Sequence, residues 1–398
     1  MSKEIRQVCL EGNDGAGKTT HIERLTKDLE KIGLTVSVMA SPGRGTLTGQ
    51  LLRSNIRTID PDKANRLFSF DILRSQRQIP ENTDIVLWDR HLPSVTVSNN
   101  GASLESLNEM IPGIRSPDQN IFLDIKPDIS WEREQKSSEH PLDKTWLQDK
   151  HQRYQQLLTD NPDTFTVIDA AQPVDTVYEK LWDKIRSELK PIIKRKTHEL
   201  IMDAPEVIKF SIDNPVEVKP NVFLPMFVNF REVCSSNLEL RNIIVNQLLE
   251  IVKSGNFDHI VGLESGGTTY ASIIAHELDL PVSQRRKKPK NSDNPDSIFT
   301  SLPKEGSKIA IIDDVGATGQ IGRRTVKSLI ERNSAPELIT IFNYSPDEQM
   351  TERIGAPATS LTNFEGIRQI VKERQTLNPQ KLEKLTTLVD AYRTTDYQ

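Results

Sequence analysis

The start of the chain leaves little choice of fold. An apolar run, Val8-Cys9-Leu10, passes through Gly12-Asn13-Asp14-Gly15-Ala16-Gly17-Lys18-Thr19 into a stretch of helical periodicity. Strand, glycine-rich loop and helix in that order, with the spacing G-x-x-x-x-G-K-[ST], make a phosphate cradle. The glycines let backbone N–H groups wrap a polyphosphate, Lys18 reaches its outer phosphates, and the Thr19 hydroxyl can ligate Mg²⁺. Residues 4–11 read as a strand, 18–32 as an amphipathic helix ended by Gly33, and 34–39 as a second strand, together a βαβ unit. Further strands, Ile85-Val86-Leu87-Trp88 and Ile121-Phe122-Leu123, end in Asp89-Arg90-His91 and Asp124. Such alternation predicts a parallel sheet with helices on both faces. Ligands then gather at the carboxyl ends of the strands, where Asp14, Asp89, Arg90 and Asp124 all fall.

The cradle accounts for only part of the chain. With 398 residues it exceeds the roughly 250–300 at which a single core stops growing, so two domains are expected. No apolar run approaches the ~18 residues of a membrane span, and Met1–Arg6 lacks a signal-peptide core, so a cytoplasmic protein without membrane partners is expected. Two cysteines, Cys9 and Cys234, are too few for a disulfide framework and have no metal spacing. The net charge of −5 argues against a nucleic-acid partner and for small phosphate ligands.

Several segments in order resemble the thymidylate kinase family. The loop Gly12 to Thr19 followed by Thr20 matches its G-x-D-G-x-G-K-[ST] motif. Pro42-Gly43-Arg44-Gly45-Thr46 looks like its P-G-G-T segment, and Leu67-Phe68-Ser69-Phe70-Asp71 like its L-F-A-A-D. Asp89-Arg90-His91 matches D-R-[YH], and Pro117-Asp118 through Leu123-Asp124 matches P-D-x-x-x-x-L-D. The resemblance covers residues 5 to about 187 and implies ATP bound by Gly12–Thr20. Asp14 would hold the acceptor sugar, Arg53 and Arg90 the acceptor phosphate, Phe68 would stack on the base, and Asp89 would act near Mg²⁺ with Thr19. The family's arginine after A-A-D is Ile72 here, with Arg74 one candidate substitute, and the aromatic expected about nine positions after Asp89 is Ser98. Glu132-Arg133-Glu134 through Lys144 reads either as a lid, with Arg133 clamping the phosphate, or as a solvated charged helix.

Residues 176–200 read as one charged amphipathic helix ending in the basic cluster Lys194-Arg195-Lys196, more a solvated face than an anchor. Beyond it a second cradle stands out. Lys308-Ile309-Ala310-Ile311-Ile312-Asp313-Asp314-Val315-Gly316-Ala317-Thr318-Gly319-Gln320 is a strand delivering two carboxylates to a small-residue loop and then a helix. Paired carboxylates can hold two ribose hydroxyls while helix N-terminal amides take a 5′-phosphate.

This resembles the phosphoribosyl pyrophosphate (PRPP) motif of type I phosphoribosyltransferases, and three other segments resemble the orotate branch of that family. Val261 to Ala271 looks like its pyrophosphate loop, with Ser265, Gly266 and Gly267. Arg286-Lys287-Lys288-Pro289-Lys290 looks like its R-K-x-x-K flexible loop, and Lys219-Pro220 through Asn229 like its hood. The implied reaction displaces pyrophosphate from PRPP by a base nitrogen. Lys219, Arg286, Lys287, Lys290 and Mg²⁺ would neutralise the pyrophosphate, and Asp313 and Asp314 would hold the ribose. A homodimer follows from the resemblance, because the family's flexible loop usually acts across a dimer interface. The loop histidine expected after Lys290 is absent (Asn291-Ser292), the phosphate loop reads G-A-T-G, and Phe342 to Asp347 lacks the family's orotate-binding arginine. Orotate bound differently, another base, and a regulatory PRPP-sensing domain therefore stay open.

The sequence thus predicts an α/β chain of two parts. A P-loop kinase domain over 1–187 is joined by a helical linker, 188–205, to a type I phosphoribosyltransferase domain with a small hood over 206–398. Nucleotides, PRPP and a nucleobase are the expected partners.

Overall fold

Val8, Cys9 and Leu10 of strand β1 (Arg6–Gly12) are buried on both faces, as are the inner residues of β3 (Ile85–Asp89) and β4 (Gln119–Asp124). Strands covered on both faces belong in the middle of a parallel sheet. In the computed structural model they occupy the centre of one, flanked by β2 (Val36–Ala40) and β5 (Phe165–Asp169) in the order β2-β3-β1-β4-β5, all parallel. The structure describes residues 5–43, 45–55, 59–98, 104, 107, 113–137, 143–219, 222–291 and 294–394. The side chains of Arg53 and Lys219, together with Arg44, Pro220, Asn221, Ser292 and residues 138–142 of the expected lid, lie outside the described residues.

The helices of this unit include α1 (Lys18–Lys31), α2 (Leu47–Asn55), α3 (Pro61–Gln76), α4 (Leu92–Ser98), α5 (Pro127–Ser137) and α6 (Lys144–Asp160). Cys9, Phe68, Ile72, Trp88 and Leu92 pack on one face of the sheet, and Phe122, Tyr154 and Leu157 form a separate cluster. A long helix, α7 (Val174–Met202), follows, with Pro191 inside it. The chain divides into two compact units, 1–190 and 191–398.

The second unit repeats the plan. Its sheet runs β11-β10-β12-β13-β14, all parallel: β10 His259–Leu263, β11 Val282–Arg285, β12 Lys308–Gly316, β13 Ala335–Asn343 and β14 Ala358–Asn363. Alternate strand residues point to opposite faces. Val261, Leu263, Ile309 and Ile311 therefore join one cluster, and Ile260, Ala310, Ile312 and Ile341 another. Helices α8 (Val233–Ser236), α9 (Leu238–Gly255), α10 (Gly266–Leu278), α11 (Gln320–Ile330), α12 (Asp347–Ile354), α13 (Phe364–Glu373) and α14 (Pro379–Thr394) complete it.

Two antiparallel pairs form the hood. β6 (Ile208–Phe210) pairs with β9 (Met226–Val228), and β7 (Val216–Lys219) with β8 (Val222–Leu224). Two buried tyrosines hold it to the unit's core: the Tyr344 hydroxyl donates to the Met226 carbonyl at 2.8 Å and the Tyr270 hydroxyl to the Phe230 carbonyl at 3.1 Å. Both units are therefore α/β domains on five-stranded parallel sheets, as the alternating pattern predicts. Among the described residues no helix is long and apolar enough to cross a membrane.

Candidate active sites

The first cradle opens at the N-terminus of α1, where Gly17 has φ 87°, a conformation a side chain resists. Asp14, Gly15, Ala16, Gly17, Lys18, Thr19 and Thr20 line a cavity of about 800 Å³ together with Asp89, Arg90, Arg133 and Glu134. Gly12 ends β1, and Asn13 is buried, its Nδ2 donating to the Leu147 carbonyl of α6 at 3.1 Å. Lys18 Nζ donates to the carbonyls of Gly12 and Asn13 at 3.0 and 2.7 Å. Burial, and then Arg90, pull its ammonium down to about 7 against Asp14 and Asp89. The Thr19 hydroxyl donates to Asp89 Oδ2 at 2.8 Å, setting an alcohol and a carboxylate side by side. Those are the hard oxygen donors Mg²⁺ accepts alongside substrate phosphates, so these residues fit that ion.

A charge network stands beside the loop. Asp14 Oδ1 takes Arg90 Nη2 at 2.6 Å and Oδ2 takes Lys150 Nζ at 3.1 Å. Burial alone would raise the Asp14 carboxyl, but Arg90, Lys150 and Lys18 hold it well below the usual range. Arg90, with φ 71°, also donates to Ser94 Oγ and the Tyr154 hydroxyl, both at 3.1 Å. Buried Glu11 accepts from the His91 and Ser94 amides at 2.7 and 3.3 Å, from Ser94 Oγ at 2.5 Å and from the Tyr154 hydroxyl at 3.1 Å. Arg133 lies across the loop, donating to the carbonyls of Gly15 and Ala170 at 3.3 and 3.1 Å.

The structure brings Asp14, Lys18, Asp89 and Arg90 together as the sequence reading expects, and adds Glu11, Lys150 and Tyr154, which that reading does not name. Glu11 adjoins the motif and was visible. Lys150 and Tyr154, four apart on one helix face, come from a helix rich in charged residues, where spacing alone does not say which charge turns inward.

The segment after β2 is held by one buried carboxylate. Asp71 of α3 accepts from the Gly43 amide at 2.6 Å and from the hydroxyls of Thr46 and Thr48 at 2.7 and 2.8 Å. This fixes the entrance to α2, the helix that carries Arg53. Arg74 lines a second cavity of about 820 Å³ with Thr19, Asp89, Gly43 and Thr46. Phe68 lies elsewhere: it is 4% exposed, packed with Cys9, Ile72 and Trp88, because Ala64, Phe68 and Ile72 recur every four residues on the face that α3 turns to the sheet.

In the second unit, Asp313 and Asp314 leave the end of β12 beside the loop Val315–Gly319, and Gly319 caps α11 with φ 76°. Asp313, Ala317, Thr318, Gly319 and Gln320 line a cavity of about 280 Å³, with Leu263 from β10 and Tyr392 from α14. Burial, and then Asp314, push the Asp313 carboxyl well above its ordinary range. The start of α10 presses against the pair. A Cβ on Gly266 would lie 1.9 Å from Asp314 Oδ2, and one on Gly267 2.1 Å from the Ile312 carbonyl. Ser265, just before them, is exposed. Arg231 Nε stands 3.7 Å from Asp314 Oδ2, a cation outside every motif read from the sequence.

The predicted basic loop is not gathered there. Arg286 Nη1 donates to the carbonyls of Ser297 and Phe299 at 3.0 and 3.1 Å, and the side chains of Lys287 and Lys290 are exposed. The Lys287 amide donates to Glu264 Oε2 at 2.8 Å. Beyond β13 the stretch without an arginine receives one from α12: Arg353 Nη1 donates to Ser345 Oγ at 3.0 Å, while Thr340 and Asp347 hold the Asn343 side-chain amide.

Comparison with known proteins assigns each unit separately. Residues 10–181 match the family model described as thymidylate kinase, and residues 237–361 the one described as phosphoribosyl transferase domain. Over 185 residues the chain is 28% identical to the thymidylate kinase of Danio rerio, covering 44% of this chain and 87% of that protein. It is 30% identical over 209 residues to that of Bifidobacterium longum (strain DJO10A), covering 46% and 97%. With that of Desulfosudis oleivorans it shares 30% over 198 residues, covering 43% and 91%.

Proposed function

Because the chain belongs, through its N-terminal unit, to the thymidylate kinase family and carries a phosphoribosyltransferase domain behind it, we propose that it is a bifunctional enzyme of nucleotide metabolism. One unit transfers a phosphoryl group from ATP to a nucleoside monophosphate, with dTMP as acceptor. The other joins a pyrimidine base of orotate type to PRPP. The observation that carries the reading is the pair of strand-end cradles, each backed by a helix N-terminus, the first with Lys18, Asp89 and Arg90 and the second with Asp313 on its lining.

In the kinase site little covalent chemistry is required; catalysis is positioning and positive charge around the moving group. The amides from Gly12 to Thr20 cradle the ATP phosphates. Lys18 leaves its own loop carbonyls for the outer phosphates, and Arg90 takes the acceptor phosphate as a bidentate donor, with Arg53 and Arg74 contributing from α2 and α3. Asp14 holds the acceptor sugar. Thr19 and Asp89 would hold Mg²⁺, which when bound would supply charge neutralisation for the phosphates.

In the transferase site Asp313 and Asp314 receive the ribose hydroxyls, and Ala317 to Gln320 the 5′-phosphate. The α10 N-terminus at Ser265, Gly266 and Gly267 takes the pyrophosphate, with Lys219, Arg286, Lys287 and Lys290 as its cations. A base other than orotate is the second reading, favoured by one contact: the only guanidinium reaching the stretch after β13, among the described residues, is Arg353 on Ser345, supplied from a different element than the orotate pattern uses.

Paired variants test the assignment. Lys18→Ala is expected to abolish ATP-dependent phosphorylation of dTMP and leave pyrophosphate release from PRPP intact, while Asp313→Asn does the reverse. Loss of both activities in either variant would contradict the assignment of one chemistry to each cradle.

A further inference from the structure

Helix α6 sends into the kinase site a lysine that belongs to none of the motifs read from the sequence. Lys150 is 8% exposed, and its Nζ occupies Asp14 Oδ2 while Arg90 occupies Oδ1. One carboxylate thus stands between two buried cations, with Lys18 close enough to feel both. Glu11, the other buried carboxylate of the cluster, gives its hydrogen-bonding capacity to His91, Ser94 and Tyr154. The three cations Lys18, Arg90 and Lys150 are balanced by Asp14, Glu11 and Asp89, and a cavity opens directly on Asp14 and Arg90. Arg90 and Lys150, side by side on the two oxygens of Asp14, are charge-assisted donors of the kind a phosphate dianion fits. The position of the lysine is built: Asn13 Nδ2 ties the phosphate loop to the Leu147 carbonyl, one turn before Lys150 on the same helix.

We propose that Lys150 is a phosphate-contacting residue of the kinase site, exchanging Asp14 Oδ2 for the phosphate of the incoming nucleoside monophosphate. The acceptor's sugar hydroxyl then donates to the vacated Asp14 oxygen, and the ammonium stands beside Arg90 on the acceptor phosphate. The flexible four-carbon stem of lysine permits the exchange where a planar guanidinium would not. The inference rests on the kinase reading above.

The test uses the full chain and measures the binding of dTMP, and of thymidine as the same ligand without its phosphate, to wild type, Lys150→Met and Lys150→Gln. Gln retains a hydrogen bond to Asp14 but not the charge. Both variants should bind dTMP about 10- to 100-fold more weakly, the size of a charge-assisted hydrogen bond, and bind thymidine within about twofold of wild type. In steady-state assays the KM for dTMP should rise by a similar factor while the KM for ATP stays put, which also reports an intact fold. Unchanged dTMP binding in both variants overturns the inference, as does equal loss for dTMP and thymidine, which would make Lys150 a support for Asp14. Wild-type protein that binds ATP but neither dTMP nor any other nucleoside monophosphate fails earlier, and removes the acceptor reading itself.

Discussion

His198 is buried near the end of α7, and its burial, followed by the charges of Lys194 and Arg195, pulls its imidazole down to about 4. In the unfolded chain the same group titrates near 6.5, so between these values the unfolded state binds a proton the folded state does not. The contribution is fully present above pH 6.5 and is lost as pH falls through that window, by up to about 1.4 kcal/mol per pH unit. Replacing His198 with Asn should flatten this part of the stability profile, measured by denaturant unfolding between pH 4 and 7. His198 was invisible as a special residue because its surroundings come from elsewhere in the chain. The same holds for Lys150 and Arg231, and for the partners of Asp71, which its motif does not reveal. Lys18, Asp313 and Asp314 were legible because each cradle is contiguous and written in one short run of residue types, and Asp89 because it ends a strand of the same sheet. Phe68, expected from the motif to meet the base, packs with Cys9, Ile72 and Trp88, a placement that follows the four-residue recurrence of Ala64, Phe68 and Ile72.

Two close approaches between elements carry predictions of their own. The first turn of α13 meets α7 at Gly366, where an added Cβ would lie 1.9 Å from His198 Cε1. Gly366→Ala should therefore destabilise the C-terminal unit by about 1–3 kcal/mol, the usual cost of overpacking, read as a shifted denaturant midpoint at unchanged slope. In the kinase unit Asp71 fastens the Gly43–Thr48 turn with three hydrogen bonds. Removing the carboxylate leaves an amide and two hydroxyls unpaired, so Asp71→Ala should speed hydrogen exchange through residues 43–50 and raise the KM for the acceptor more than that for ATP. Exchange at the wild-type rate would mean that the turn is held by something else. Strands β1 to β4 and β12 and helices α1 and α7 were legible because their apolar runs are bounded by turn residues and their stripes recur at helical spacing. The hood was recognised by resemblance; its strands, three or four residues long, carry too little periodicity to be read directly.

Across the whole chain the same device occurs twice: a parallel strand runs into a glycine-bearing loop that turns into a helix, with carboxylates beside the loop. That repetition explains why two unrelated activities are expected from one polypeptide, each using activated phosphate and neither requiring a protein nucleophile. It also explains what stays unread. The cradles are suited to phosphates and ribose, which every candidate substrate shares, whereas a base is recognised by side chains that no contiguous run marks out. The most direct measurement is mass analysis of products after the full chain is incubated with Mg²⁺, ATP and dTMP, and separately with Mg²⁺, PRPP and orotate, uracil or a purine base. The account predicts dTDP in the first mixture and, in the second, one nucleoside 5′-monophosphate formed with an equal amount of pyrophosphate. Unchanged dTMP beside bound ATP, or PRPP left intact with every base, would contradict it.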